Sequence, residues 1–299
     1  MTYPIPPATI GPRNRFSRRL PTRADVTRGL TPGNLIKLAL LGFLAAFFLL
    51  PVWVMLITGL KPFADVSLAR MWELPSGLYV DNFQAAFAAL GPNLANSVML
   101  AIPAALLSAT LGSMNGYILS KWKFRGSDVI FTAFLFGMFI PYQAILIPLV
   151  QFMQQINLVG GIPGLILVHV VYGIPITTLI FRNYYATVPG EVIESGRIDG
   201  AGFFGIYRHI ALPLSLPGFA VVLIWQFTNI WNEFLFAIVL TRPNAWPVTV
   251  ALNNLAGSQI VEWNVQMAGA LLAALPTLVV YIVLGRFFLR GLMAGALKG

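Results

Sequence analysis

Six polar or aromatic residues lie within one short stretch of an otherwise apolar run at 214–240: Trp225, Gln226, Asn229, Trp231, Asn232 and Glu233. Gln226, Asn229 and Glu233 are spaced i, i+3 and i+7, so on a continuous helix they would share one face. Amides and carboxylates are costly in lipid and normally face a bundle interior or a water-filled cavity. The spacing predicts either a stripe lining the path of a neutral polyhydroxy solute or a hydrogen-bond network between helices.

Catalytic chemistry has no candidate set of residues in this sequence. His169 lies in an apolar run and His209 in a polar loop, too far apart to share a metal, and each is interpreted as structural. The chain has no G-x-x-x-x-G-K-[ST] phosphate loop, so it does not hydrolyse ATP by that device. It has no cysteine, which excludes disulfides, thiol catalysis and cysteine metal sites.

The composition is that of a membrane protein. Of the 299 residues, 58% are hydrophobic and 10% are charged, whereas a soluble domain has about 25% charged residues. The net charge of +9 does not indicate nucleic-acid binding, because the basic residues lie in short segments between apolar runs. We therefore predict an all-α polytopic membrane protein.

Six apolar runs are each long enough to cross a ~30 Å hydrocarbon core. They cover residues 38–60, 94–119, 129–150, 162–181, 214–240 and 265–284. Residues 1–34 carry six arginines and no hydrophobic period, which predicts a mostly disordered basic tail. In the loop at 61–92, Asp81 is predicted to open a short amphipathic helix that runs through Leu90.

The basic residues also predict the orientation of the spans. The tail, the turn at 121–125, the loop between the fourth and fifth runs and the C-terminal end hold most of them, and these segments therefore share the cytoplasmic side. Both termini are predicted to be cytoplasmic. The loops around Arg70 and Arg242 are predicted to face outward.

The loop between the fourth and fifth runs is too long to be a simple turn. Pro189 suits the first turn of a helix, whose positive N-terminal end Glu191 and Glu194 would complement. Gly200 and Gly202 would break this helix. The apolar surface that follows consists of Phe203, Phe204, Ile206 and Tyr207. The loop is interpreted either as a docking surface for a soluble partner or as a hairpin packed on its own bundle.

The spacing within this loop resembles a known family motif. Glu194, then Gly200 after five residues, then Ile210-x-Leu212-Pro213 after nine more, resembles the EAA loop of binding-protein-dependent ABC importer permeases. The two alanines of the usual motif are here Ser195 and Gly196. Glycine lowers helix stability by ~1 kcal/mol relative to alanine, so the residue at which this helix starts is not fixed by the motif.

Two further stretches narrow the resemblance. Residues 227–235, with Trp231-Asn232-Glu233-Phe234, resemble the fifth span of carbohydrate importer permeases, and residues 286–299 resemble the end of the MalG-type permeases. The resemblance implies a six-helix type I ABC importer permease (MetI-like) fold over residues 35–299. It also implies a coupling segment at residues 186–213.

The resemblance further implies the partners. They are a MalF-like second permease subunit, two ATP-binding subunits that carry ATP and Mg, and an extracytoplasmic solute-binding protein. The chain itself would hold no cofactor and would lie in a bacterial or archaeal cytoplasmic membrane, in contact with lipid, importing a neutral sugar or polyol. The alternatives are a glycerophosphate-type importer and a proton-coupled secondary transporter working through Glu233.

The resemblance assigns residues to two roles. Contact with the ATPase is expected for Glu191, Glu194, Ser195, Gly196, Asp199, Gly200, Ala201, Phe203, Phe204, Ile210, Leu212 and Pro213. The substrate pathway is expected at Gln226, Asn229, Trp231, Asn232 and Glu233.

Overall fold

The computed structural model describes residues 32–122, 124–257 and 261–296. The predicted basic tail lies outside these residues up to position 31, as do Lys298 and Gly299. By its internal contacts the chain divides into two units, residues 1–52 and residues 53–299. The first unit carries most of α1 (Pro32–Gly59), whose side chains are exposed nearly all round over residues 35–52.

Among the described residues, four helices are long and apolar enough to cross a membrane, and the number is six if each of two bent helix pairs is one span. The four are α1, α2 (Asp81–Lys121), α5 (Ile162–Ala186) and α12 (Trp263–Ala296). The first bent pair is α3 (Ser127–Met138) with α4 (Leu146–Gln155). The second joins the helical segments of the coupling segment to α9 (Leu216–Trp231). These elements correspond to the six predicted runs.

The helix predicted to end near Leu90 does not end there. α2 runs without interruption from Asp81 to Lys121 and contains both Pro92 and Pro103. Proline inside a membrane helix is tolerated when neighbouring groups satisfy the freed carbonyls. Between the two prolines, α2 is bonded to a segment distant in sequence: the side-chain amide of Asn96 donates to the backbone oxygen of Trp246 at 3.1 Å.

The third predicted span is broken in its middle. α3 ends at Met138, a 3-10 turn follows at Tyr142–Ile145, and the two halves are bent by 89°. Pro141 explains the break, since the residue before a proline is pushed away from the α conformation.

The fifth predicted span is also interrupted at both ends of its main helix. It bends by 74° around the buried Ser215, before α9 begins, and α9 ends at Trp231. A short α10 (Leu235–Leu240) follows after a turn. Gln226, Asn229 and Glu233 therefore do not share the face of one helix, and that part of the sequence interpretation is wrong.

The most extensive helix contact is between α2 and α5, and it depends on two glycines of α2. A Cβ on Gly112 would lie 2.5 Å from Thr177 Cβ, and one on Gly116 would lie 2.7 Å from the backbone nitrogen of Arg182. The two glycines are four residues apart, the small-x-x-x-small spacing of closely packed membrane helices. This pair was not among the sequence predictions, although its spacing is visible in the sequence.

A third helix joins this contact nearer its centre. Gly173 of α5 faces both α2 and α9, where an added Cβ would lie 2.8 Å from Ser108 Cβ and would clash with Gln226. Gln226 Nε2 donates to Ser108 Oγ at 2.8 Å. This buried hydrogen bond ties α9 to the α2–α5 pair.

Candidate coupling surface and polar cavity

The coupling segment is helical, as predicted, and its breaks fall at glycines. α6 (Gly190–Ile198) begins directly after Pro189 and has Glu191 in its first turn. Gly200 adopts φ +80°, a left-handed conformation that costs other residues about 1–2 kcal/mol. Three short segments follow: α7 (Phe203–Ile206), a π-helical turn at Tyr207–Ala211 and α8 (Leu212–Leu214).

One side of the coupling segment is open. Its exposed residues include five from the predicted ATPase-contact set in and after α6, namely Glu191, Glu194, Ser195, Asp199 and Gly200. Ile198 and Phe204 are 85% and 68% exposed, so two large apolar side chains lie among these polar groups. Ile198 was absent from the predicted set. Because it follows one turn after Glu194 on the same helix, helical spacing could have identified it.

The opposite side of the segment faces the protein's own helices. Ile206 and Tyr207 are buried, and the ring of Phe203 lies 5.3 Å from Tyr117 and 5.1 Å from Trp122. The prediction of an exposed apolar docking surface is therefore wrong for these three residues. Of the four predicted residues, Phe204 is the exposed one. An amphipathic segment packed on a bundle must bury one apolar face, and the sequence alone did not say which rings belong to that face.

The remaining predicted contact residues fall between these two sides. Gly196 is buried, with Ile210 and Ile206 against it, and an added Cβ would lie 2.6 Å from the tip of Ile210. Ala201, Ile210 and Leu212 are half-buried, and Pro213 is exposed. The departure from the family's alanine at position 196 therefore leaves room for Ile210 without ending the helix.

Four hydroxyl groups connect the coupling segment to the spans, and we refer to Ser113, Tyr185, Tyr207 and Ser215 as the hydroxyl cluster. Tyr207 donates to Ser113 at 3.0 Å, and the hydroxyls of Ser113 and Tyr185 are 2.7 Å apart. Tyr185 in turn donates to Ser215 Oγ at 2.9 Å. Buried polar groups of this kind define one packing geometry when all are satisfied. The cluster joins α2, α5 and the bend before α9.

Arg197 adds a contact at the edge of this interface. Its guanidinium lies 4.3 Å from the ring centroid of Trp122, at the end of α2. A cation over an indole face is attracted by the ring quadrupole. Lys121 Nζ also donates to the backbone oxygen of Val188 at 2.6 Å. Both contacts hold the coupling segment against the C-terminal end of α2.

A polar cavity of about 440 Å³ opens beside α9 and its break. Its lining combines amide, carboxyl, imidazole, phenol and indole groups: Tyr142, His169, Tyr172, Gly173, Ile176, Trp225, Gln226, Thr228, Asn229, Ile230, Asn232, Glu233 and Phe236. Four of the five residues predicted for the substrate pathway are therefore brought together. The volume lies in the range of small-molecule sites.

The four predicted lining residues differ in their accessibility. Gln226 is 4% exposed and is already bonded to Ser108, so it reaches the cavity only at its edge. Asn229 and Asn232 are exposed, and each amide nitrogen donates at 2.8 Å to a backbone oxygen one turn earlier, on Trp225 and Thr228. Their side-chain oxygens are fixed in direction by those bonds.

Trp231, the fifth predicted residue, does not line the polar cavity. It is 3% exposed, its Nε1 donates to the backbone oxygen of Ala273 at 3.0 Å, and its ring stacks on Phe227. These contacts fix α9 against α12. The position of Trp231 therefore does not support the expectation that it belongs to the substrate pathway through this cavity.

Glu233 occupies the break itself. Its Oε1 accepts from the Phe236 amide at 2.6 Å and its Oε2 from the Ala237 amide at 3.1 Å, so the carboxylate caps the start of α10. Glu233 Oε2 also lies 3.6 Å from His169 Nε2. His169 was interpreted as a lone structural histidine, and the structure instead pairs it with the carboxylate in the cavity wall.

Among the lining residues that the sequence did not predict are three titratable side chains, those of His169, Tyr172 and Tyr142. His169 and Tyr172 are one turn apart on α5, a spacing that marks one helical face without saying what it faces. Tyr142 is placed by the break after α3, which was not predicted. Within residues 32–122, 124–257 and 261–296, no three His, Cys, Asp or Glu side chains are grouped to hold a metal ion.

The fold is that of a helical membrane protein, with an amphipathic segment packed on the ends of its helices and a polar cavity between the helices. Residues 101–292 match the family described as the inner membrane component of binding-protein-dependent transport systems. A probable ABC transporter permease protein of Pyrococcus horikoshii is 44% identical over 274 residues, covering 91% of this chain and 100% of that protein. The xylose/arabinose import permease protein XacI of Haloferax volcanii is 37% identical over 297 residues, covering 91% and 96%.

This chain therefore belongs to the family of ABC importer permeases that work with a binding protein, and it is a transport subunit and not an enzyme. A crystal structure of a bacterial ABC transporter involved in the import of the acidic polysaccharide alginate contains a chain of the same fold. The TM-score is 0.73 at 22% identity, covering 90% of this chain and 99% of that one. The predicted family and the predicted all-α permease fold are confirmed.

Proposed function

We propose that this permease forms half of the path of a neutral sugar or polyol through the membrane, and that the polar cavity is its part of that path. The observation that carries the proposal is the chemistry of the cavity lining. Amide, phenol and imidazole groups exchange hydrogen bonds readily with hydroxyls, and the ring of Trp225, 51% exposed, offers a face for stacking.

The charge of the lining favours a neutral solute over a glycerophosphate. The residues that the structure places around the cavity include no lysine or arginine, and Glu233 brings a carboxylate. Phosphate and carboxylate groups are normally bound by Arg, Lys or clustered backbone amides. The relative XacI, named for xylose and arabinose import, supports the same class of solute. Coupling to protons through Glu233 is not favoured, because its carboxylate is engaged in capping α10 and the family depends on a binding protein.

In this proposal the coupling segment is the part of the chain that contacts an ATP-binding subunit. Its open side, with Glu194, Ile198 and Phe204, is the surface proposed to seat in an ATP-binding subunit, and the hydroxyl cluster transmits the resulting movement to the spans. ATP and Mg are bound by two such subunits, and this chain holds neither. This requires the coupling segment and both termini to be cytoplasmic.

The other partners occupy the remaining surfaces in this proposal. A MalF-like second permease completes the path, and an extracytoplasmic binding protein delivers the solute to the side that carries residues 241–257. That outer segment is held against α2, where Ser97 Oγ accepts from the amide of Val248 at 2.8 Å. It therefore presents a fixed surface to the binding protein.

The experiment is reconstitution of the complete complex, purified with its partner subunits, in proteoliposomes with the binding protein outside. Uptake and ATP hydrolysis are measured across pentoses, hexoses, short oligosaccharides, polyols and glycerophosphate. Uptake and stimulated hydrolysis with a neutral sugar or polyol are expected. Stimulation by glycerophosphate alone, or uptake that needs no ATP, contradicts the proposal.

A further inference from the structure

Glu233 is committed to the backbone of its own chain. Both carboxylate oxygens accept amide hydrogens at the start of α10, at 2.6 and 3.1 Å. Its backbone oxygen accepts from Thr249 Oγ1 at 2.9 Å, so the turn is fixed on a second side. The carboxyl side chain is 15% exposed. Although Glu233 lines the cavity, its geometry is that of a residue that fixes the break after α9.

His169 is placed differently. It is 6% exposed and lines the polar cavity, and its Nε2 has no hydrogen-bond partner within the described chain. The distance of 3.6 Å between Nε2 and Glu233 Oε2 exceeds the usual hydrogen-bond range. The carboxylate therefore lies beside the imidazole and leaves Nε2 available for another hydrogen bond. The imidazole also packs edge-to-face with the ring of Phe236, with centroids 5.9 Å apart and an interplanar angle of 80°.

Buried polar atoms in proteins are nearly always hydrogen-bonded, to protein, water or ligand. We propose that His169 is a solute-contacting residue that bonds a hydroxyl of the transported molecule through Nε2, and that Glu233 is a positioning residue which fixes the imidazole and the break. This inference rests on the proposed function, in that the polar cavity must be part of the path. It deepens that function by moving the direct contact from the predicted α9 stripe to α5.

The pairing also defines the chemical class of the solute. Apart from tyrosines, His169 and Glu233 are the titratable groups among the described lining residues. The described lining has no lysine or arginine to bind an anion, and Glu233 places an acidic group beside the imidazole, so the contact suits an uncharged hydroxyl.

The test compares His169→Phe with Thr178→Val in the reconstituted complex. Thr178 lies on the same helix, is fully buried, has a hydroxyl without a partner in the described chain and does not line the cavity. The solute is the one that the wild-type complex takes up, presented on saturating binding protein. His169→Phe is expected to reduce uptake per ATP hydrolysed about tenfold, the upper range for one lost hydrogen bond. Thr178→Val is expected to change it less than about twofold.

A second readout separates contact from packing. Wild-type complex is expected to discriminate against at least one monodeoxy analogue of its solute, and His169→Phe is expected to lose that discrimination. Glu233→Gln keeps one acceptor oxygen for α10 but removes the carboxylate beside the imidazole. We expect it to reduce uptake per ATP about threefold while assembly of the complex is retained.

The outcomes are separable. If the wild-type complex takes up no neutral hydroxylated solute, the proposed function fails, and this inference fails with it. If the wild type transports and His169→Phe transports and discriminates equally well, only this inference is overturned. If His169→Phe does not assemble, His169→Met is used instead. Uptake per ATP and discrimination against the monodeoxy analogue that both equal the wild type overturn the inference. The loss of both supports it.

Discussion

The coupling segment and the polar cavity differ in how their residues are brought together. The coupling segment takes its side chains from one continuous stretch of chain, in which Glu194 and Ile198 are exposed and Ile206 is buried. The cavity takes polar groups from α5, including His169, from α9, including Asn229, and from two helix breaks. A local surface can thus be formed by one amphipathic segment, whereas a cavity needs several helices in a fixed arrangement.

The α2–α5 pair supports both regions. Toward the coupling segment the two helices meet at Gly116 and are joined by the hydroxyls of Ser113 and Tyr185. Toward the cavity they meet at Gly173, beside the bond between Gln226 and Ser108. The coupling segment and the cavity are therefore connected through one pair of closely packed helices.

The largest effect is expected where this shared support is broken. In Gly116→Ala the new methyl group would lie within 2.8 Å of two backbone atoms of α5, which cannot move as a side-chain tip can. Overpacking of this kind costs about 1–3 kcal/mol. We expect a lower thermal inactivation temperature and loss of both ATPase association and uptake.

The control for this change is Gly137→Ala in α3, where an added Cβ meets no atom within 4 Å. That variant should match the wild type or gain slightly in stability, because alanine favours a helix over glycine by about 1 kcal/mol. Equal behaviour of the two variants would show that the α2–α5 contact does not support both regions.

The next effect separates the two regions. Glu194→Lys reverses a charge on the exposed side of α6 and leaves the cavity unchanged. We expect ATPase association to weaken about tenfold, equivalent to about 1.4 kcal/mol. The reason is that a partner surface which accommodates the Glu194 carboxylate would meet a positive charge instead. Co-purification and stimulated ATP hydrolysis measure it. Glu73→Lys, an exposed charge reversal outside the coupling segment, is the control, and normal uptake in Glu194→Lys would remove the coupling role.

A smaller effect is expected at the connection between the regions. Tyr207→Phe deletes the hydroxyl that donates to Ser113 at 3.0 Å and keeps the buried ring. The loss of one such bond is worth about 0.5–1.5 kcal/mol, or roughly two- to tenfold. We expect uptake per ATP to fall within that range while the ATPase stays bound.

Tyr79→Phe, at a half-exposed ring in the outer loop, is the control for Tyr207→Phe. If the two variants show the same ratio of uptake to ATP hydrolysis, the hydroxyl cluster stabilises the fold without transmitting movement. Thermal inactivation of both variants, measured in parallel, gives the stability contribution alone.

The smallest effect is expected for Gly196→Ala, which restores the family's alanine in α6. Its Cβ would meet the tip of the flexible Ile210 side chain, and alanine adds up to about 1 kcal/mol of helix stability. These effects oppose each other, so uptake and thermal inactivation temperature should stay near wild type. A strong loss of ATPase association would show that the docking surface depends on close packing at this position.

Patterns along the chain were enough to predict the class of fold, the apolar runs and the helical coupling segment. These depend on residues that are near each other in the chain: runs of apolar residues, the spacing of Glu194 to Gly200, and the glycine that accepts φ +80°. Hydrophobic thickness and local backbone conformation impose these patterns on any chain that crosses a membrane, so they can be recognised without knowing the packing.

Only the tertiary structure decided which groups form the polar cavity and which rings of the coupling segment are buried. The break after Trp231 depends on a carboxylate that caps α10 and on a threonine sixteen residues further along the chain. His169 and Glu233 are paired through the packing of α5 beside that break. Neither contact leaves a periodic signal, because a single polar side chain in an apolar run has the same sequence pattern whether it faces a cavity, another helix or a capped turn.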